Sequence, residues 1–406
     1  MRIGNHPRKS RGFTLVEVLV GVLIGLIGTV VIFQVFAVSE GQKRTTTGAS
    51  DAQQNGVFGL FQIERDIRMA GYGLNYMPLL GCQINGWYEP GNAPIQFKLV
   101  PVEIINGAVG APDRIRLAFG NSDLFMAPAK LIQTMPSPAA VYKVDNRFGF
   151  KPGDLVIAAE SGRPCTLAQA TDTPGTPGNS DNVIHNSGNY KNDEGANVPA
   201  DYNRPGGLPP PNDISYNAWN PATGTGGRLY NIGAAPTVVT YAIQNDGQGH
   251  STLVAINELT PGIPGQAFAL ADGVVQLQAQ YGYDGNSDGR VPTDATVNDN
   301  LVIGNNDQWA NNMPAAATGL DWAKVIAIRL VVTARSITPE RPNPATGVCD
   351  ATTVYPKWIG AATPALPGGA DLDISIADPV NWRCYRYRTF EVLVPIRNMV
   401  WFPQNA

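Results

Sequence analysis

Phe13 to Val38 is an apolar run that carries a single charge, Glu17. As a helix it spans about 39 Å at 1.5 Å per residue, more than the roughly 30 Å of a bilayer's hydrocarbon core. It is too long for the apolar core of an ordinary secretory signal. Arg2, Arg8, Lys9 and Arg11 precede it. The positive-inside rule therefore leaves residues 1–12 in the cytoplasm and exports everything after Val38. A charge at the centre of a membrane helix costs about 2.5–3.5 kcal/mol on insertion scales, so Glu17 calls for a compensating cation.

The rest of the chain is shaped by what it lacks. Only 15% of the 406 residues are charged, the formal net charge is −4, and there are 44 glycines and 33 prolines. That balance favours turn-rich β structure over a compact helical enzyme, and nucleic acid is not expected as a partner. Cys82, Cys165, Cys349 and Cys384 form no CxxC pair, and three histidines are too few company for a zinc site. On an exported chain an even cysteine count predicts two disulfides. Of the three pairings, Cys82–Cys165 and Cys349–Cys384 are favoured because each closes a segment within one half of the chain.

The string Lys9-Ser10-Arg11-Gly12-Phe13-Thr14-Leu15-Val16-Glu17 closely resembles the type III signal of type IV prepilins. That family is cut after the glycine by a membrane-embedded aspartic prepilin peptidase, which also methylates the new terminus. The resemblance implies a scissile bond at Gly12–Phe13 and N-methylphenylalanine at Phe13. Cleavage would free an α-amino group about one helical turn from Glu17. In a bundle, Glu17 can then neutralise the amine of a neighbouring subunit, because a paired charge is tolerable where a lone one is not. This pairing would set assembly register more than stability. Gly21 and Gly25 form a GxxxG pair that lets helix backbones approach closely.

A helical pattern resumes at Asp51, with Val57, Leu60, Phe61, Glu64 and Ile67 at three- and four-residue spacing. Glu64 and Arg68 form a favourable i,i+4 pair, and Gly71 or Gly73 suits the end of the helix. One long helix is expected, its transmembrane and assembly half at residues 13–38 and its amphipathic half at 39–73. Gly41, Gly48 and Gly56 are candidate bends or breaks. The phrase from Glu64 to Gly73 resembles the helix end of PilW-like minor pilins. Val274–Tyr283, Trp322–Ser336 and Phe390–Met399 resemble strands of the same family, the last ending in Arg397-Asn398.

Strands are expected at Ile95–Val102, Arg114–Phe119, Leu155–Ala159, Thr237–Ile243, Thr252–Ile256, Val274–Tyr283, Ala323–Thr333 and Thr389–Arg397. No strand–helix alternation appears, which disfavours a parallel α/β fold. The fold class is α+β and pilin-like: the long helix packs on an antiparallel sheet within a head at residues 74–406. Residues 171–236 and 338–380, dense in Pro, Gly and small residues, look like surface insertions.

The resemblance implies a structural protein rather than an enzyme: a minor pilin that primes type IV pilus assembly, at the filament tip. Its partners would be prepilin peptidase, other minor pilins and the major pilin, with a tip adhesin as a further candidate. It would sit in the inner membrane by a single pass, head in the periplasm, and later on the pilus surface. A J-like pseudopilin of type II secretion shares the same signal and layout. A conventional secreted protein, cut near Ser39, is the third reading.

One local pattern suggests an ion. Asp284-Gly285-Asn286-Ser287-Asp288-Gly289 places oxygen ligands at alternate positions before a glycine, like the start of a calcium loop. Asp284, Asn286, Asp288 and the Arg290 carbonyl are candidate ligands. Ala295 stands where a bidentate acid belongs, and the neighbouring Asp294 is the substitute; otherwise the chain implies no cofactor. The same stretch satisfies GxSxG, but no helical pattern follows and His185 and His250 lie in Gly/Asn-rich loops, so a hydrolase is disfavoured. Tyr385-Arg386-Tyr387-Arg388 interleaves aromatics and cations, which a half-exposed strand explains more simply than base stacking.

Overall fold

The computed structural model describes residues 12–74, 76, 79–123, 127–176, 181–290, 297–358 and 369–400. The leader before Gly12, Asp294, residues 177–180 of the first insertion and 359–368 of the second lie outside these.

Helix α1 runs without a break from Leu15 to Met69, about 80 Å at 1.5 Å per residue. It begins in a capping box. The Thr14 hydroxyl accepts the Glu17 N–H (3.3 Å), and the Glu17 carboxylate accepts the Thr14 N–H (2.9 Å). It passes through Gly41, Gly48 and Gly56 as a helix. Each glycine costs about 1 kcal/mol of helix propensity. At Gly48 and Gly56 this is offset by packing, since both are buried against the head. The amino-terminal half is exposed along its whole length.

The carboxy-terminal half lies on a five-stranded sheet ordered Val297–Asn300, Gln308–Asn312, Val274–Tyr283, Val325–Arg335, Tyr387–Pro395. A second five-stranded sheet continues the same core: Ala267–Asp272, Ser251–Asn257, Thr237–Asn245, Arg114–Phe119, Val102–Ile105. Ile63, Ile67 and Ala70 of α1 enter this core with Leu117, Leu277, Tyr281, Leu330 and Val394. Among the described residues, strand pairing is antiparallel apart from two short parallel contacts, Cys82–Tyr88 with Cys165–Gln169 and Val297–Asn300 with Gln308–Asn312.

The middle of the chain leaves and rejoins this core at one place. Arg114–Phe119 and Thr237–Asn245 are neighbours, with Phe119 opposite Thr237. The residues between them, with Cys82–Tyr88 and Ala93–Leu99, build a six-stranded sheet with its own apolar clusters. The stretch 171–236 is therefore more than surface loop. Arg228–Gly233 is a largely buried strand beside Leu155–Ala159, and Tyr216 is fully buried. Its Gly/Pro density masked this because the apolar residues that pack are few and widely spaced.

The last long strand ends at Pro395, not Arg397, and Arg397–Val400 turns into a short helix.

Candidate functional site

The functional feature built by this fold is the helix itself: an exposed apolar half joined rigidly to a clamped half. Among the described residues, no part of the head lies against Glu17, Gly21 or Gly25. The space where each glycine would carry a Cβ is open, and the Glu17 carboxylate also accepts the Thr14 hydroxyl at 3.0 Å. Such a surface is free to meet other helices.

The clamp is made of small residues. Gly48, Ala52, Gly56, Gly59 and Ile63 recur every three or four residues and are all buried. A Cβ at Gly56 would collide with the Phe390 ring and press on Ala334; at Gly48 it would meet Ser336, and at Gly59 Leu253. The helix backbone therefore lies almost directly on the strands. This corrects the simplest reading of the periodicity. Of Val57, Leu60, Phe61, Glu64 and Ile67 only Ile67 is fully buried, while Val57 and Phe61 face outward, 48% and 57% exposed. Small residues allow the closest backbone approach, so Gly48, Ala52, Gly56 and Gly59 take the contact and Val57 and Phe61 turn away, while Ile63 and Ile67 enter the core further along the helix.

The upper end of α1 is locked by polar contacts. The Tyr241 hydroxyl donates to the Asp66 carboxylate at 2.6 Å in a buried site. Burial, reinforced by that carboxylate, pushes the Tyr241 phenol far above its usual range. Glu64 and Arg68 pair on the outside at 2.5 Å. Gly71 has φ +81° and lies against Pro101 and Met399, while its N–H donates to the Ala118 carbonyl. Asn398 closes the end: its Nδ2 donates to the carbonyls of Met69 and Ala70, at 3.1 and 3.0 Å. The phrase Glu64–Gly73 is thus a helix terminus in which nearly every residue has a contact of its own.

Two family profiles match the chain. The profile of the Type IV Pilus-assembly protein W covers residues 240–398, and the prokaryotic N-terminal methylation motif covers residues 7–33. A PilW domain and a prepilin methylation motif on one chain support a type IV pilus-associated pilin. The PilW match starts within the Thr237–Asn245 strand, takes in the sheet under α1, and stops at Asn398, the residue that closes the helix. The six-stranded middle sheet lies outside both matches. No curated protein and no solved structure matches the chain. PilW and prepilin domains point to a structural pilus component rather than an enzyme.

The acidic loop after Val274–Tyr283 is held by its own backbone. Asp284, fully buried, accepts the N–H groups of Asp288 (3.1 Å) and Gly289 (2.8 Å), and the Asn286 side chain accepts Asp288 N–H at 2.8 Å. Asp307 joins them: it accepts the Asn286 amide at 3.3 Å, and carboxylate oxygens of Asp284, Asp288 and Asp307 lie within 4.8 Å of one another. Asp307 lies outside the loop in sequence and reaches it because the strand it leads into, Gln308–Asn312, pairs with Val274–Tyr283. No local motif could have flagged it. The all-oxygen donor set suits a hard cation such as calcium.

The remaining sequence candidates are accounted for by packing. His250 sits on a hairpin tip with Nδ1 2.6 Å from the Asp246 carboxylate. That contact and backbone N–H bonds hold the Asp246 carboxyl down at about 2. His185 stacks on Tyr142, and burial lowers its pKa. Ser287 of the GxSxG stretch has φ +63°, and no described helix begins at it. In Tyr385–Arg388, Arg386 pairs with Glu340 at 2.8 Å, Arg335 covers the Tyr385 ring, and the Tyr387 hydroxyl donates to the Trp382 carbonyl. Disulfides join Cys82 to Cys165 and Cys349 to Cys384.

Proposed function

We propose that this pilin is a minor pilin. Prepilin peptidase cuts it at Gly12–Phe13 and methylates Phe13. It then joins a complex of minor pilins that primes type IV pilus assembly and ends at the filament tip. One observation carries the reading: the exposed apolar segment bearing Glu17 and the helix clamped in the PilW domain are the same unbroken helix. Force or registry imposed on one half is passed to the head without a hinge. Before assembly the chain is held in the inner membrane with its head in the periplasm. The exposed Gly21 and Gly25 support close approach of neighbouring helices, and Glu17 supplies the counter-charge to a neighbour's terminal amine.

Calcium in the Asp284 loop is a separate reading, supported by the three converging carboxylates. Its role would be to brace the turn beside Val274–Tyr283 rather than to perform chemistry.

Mass spectrometry of the protein recovered from cells tests the processing. A mature chain starting at methylated Phe13 supports the proposal. A chain that starts at Met1, or beyond Val38, removes it.

A further inference from the structure

The lower rim of the head is tied to α1 close to the end of the apolar run. The Thr45 hydroxyl donates to Glu340 Oε1 at 2.9 Å, and Arg386 Nε donates to the same oxygen at 2.8 Å. One turn higher, Gly48 abuts Ser336. Thr45 lies only about 10 Å past Val38 along the helix axis. The headgroup layer on each side of a bilayer is about 5–8 Å thick.

From Ser336 to Glu340 the chain moves toward the membrane end of α1. It then makes a turn closed by Asn343 N–H to the Val348 carbonyl, at 3.0 Å. The segment 378–386 is bound to this turn by the Cys349–Cys384 disulfide, by Glu340 N–H to the Cys384 carbonyl (2.6 Å) and by Thr352 N–H to the Arg383 carbonyl (3.2 Å). On this base, branched apolar side chains stand in the open. Ile337 and Val348 are more than half exposed; Val354 and Val380 are 75% and 87% exposed. The rings of Tyr355 and Trp382 pair beside them, 5.0 Å apart. Branched apolar residues with Tyr and Trp are the chemistry of a membrane–water interface. Acidic and basic residues balance across Ile337–Arg388, so the attraction is apolar rather than a matter of anionic lipid.

We infer that residues 337–354 and 378–386 form a foot that rests on the periplasmic headgroup layer and holds the head upright before assembly. The inference depends on Phe13–Val38 spanning the membrane. Extraction into a filament must then detach the foot as well as the helix.

The test uses the full mature chain in phosphatidylcholine nanodiscs, with Ile and Val methyl groups labelled for NMR. Nitroxide is placed either on the headgroup or deep in the acyl chain. The headgroup probe should erase most of the Ile337, Val348 and Val354 signals and spare Ile132, which lies just past the Ala129–Lys130 strand of the middle sheet. Replacing Val348 and Val354 by Asp should restore Ile337. If these signals match Ile132 while the acyl probe erases Ile24 and Ile27, the foot is wrong and the anchor stands. If Ile24 and Ile27 survive the acyl probe, the anchor fails, and the foot with it.

Discussion

The Asn398 side chain donates to the Ala70 carbonyl at 3.0 Å, joining the start of the last helix, where the PilW match stops, to the carboxy-terminal end of α1. The second donation, to Met69, makes it a two-point cap on carbonyls that have no partner within α1. Removing it in Asn398→Ala should lower stability by about 1 kcal/mol, since water can reach these carbonyls and replace part of the bonding. Thermal melts followed by circular dichroism would register a small drop in melting temperature. An unchanged melt would show that the cap is redundant.

Gly56 and Phe390 are in direct contact, so Gly56→Val should overpack the clamp and cost about 1–3 kcal/mol. Shrinking the partner should relieve it. The double variant Gly56→Val with Phe390→Ala is expected to be more stable than the two single losses summed, the sign of coupling between touching residues. Strict additivity would mean that the helix shifts rather than clashes.

Glu17→Ala should leave cleavage intact, because the proposed cut at Gly12–Phe13 precedes α1 and the change only removes a charge from an exposed helix. Filament assembly should fall, because the neighbour's amine then lacks its counter-charge. Counting filaments at matched inner-membrane levels of the protein decides it. Normal numbers would refute the pairing.

Asp113 gives the head a measurable pH dependence. It is buried, and desolvation raises its carboxyl to about 6, partly opposed by the N–H groups of Gly107 and Ala279. The native state therefore holds this proton more tightly than the unfolded chain does. Its stabilising contribution is fully present below about pH 4, and it is lost as pH rises through about 6, a change of order 2–3 kcal/mol. Asp113→Asn should flatten that part of the stability curve relative to the parent. Denaturant melts from pH 4 to 7 compare the two slopes, and parallel slopes would contradict the assignment.

Calcium, if held by Asp284, Asp288 and Asp307, stabilises the native chain by mass action, about 2.7 kcal/mol at a hundredfold excess over the dissociation constant. The melting temperature should rise with calcium and fall with chelator, and Asp307→Asn should abolish the response. A chelator-insensitive melt leaves the loop as a backbone-braced turn.

The amino-terminal sequence by itself marked an apolar segment long enough to cross a bilayer and placed it in a helix, because lipid imposes a length and charge rule that a linear string either meets or fails. It also marked most strands of the two sheets around α1, where alternation is regular; Arg114–Phe119 and Val274–Tyr283 have the bounds read from the string. Tertiary structure alone decided which face of α1 meets the sheet. The choice turned on backbone clearance between Gly56 and Phe390, which no periodicity of large residues reports. It also decided that Arg228–Gly233 is a strand and that Asp307 belongs to the acidic loop. Both depend on strand pairing between segments far apart in the chain, whose contact energy exists only once the sheet has formed.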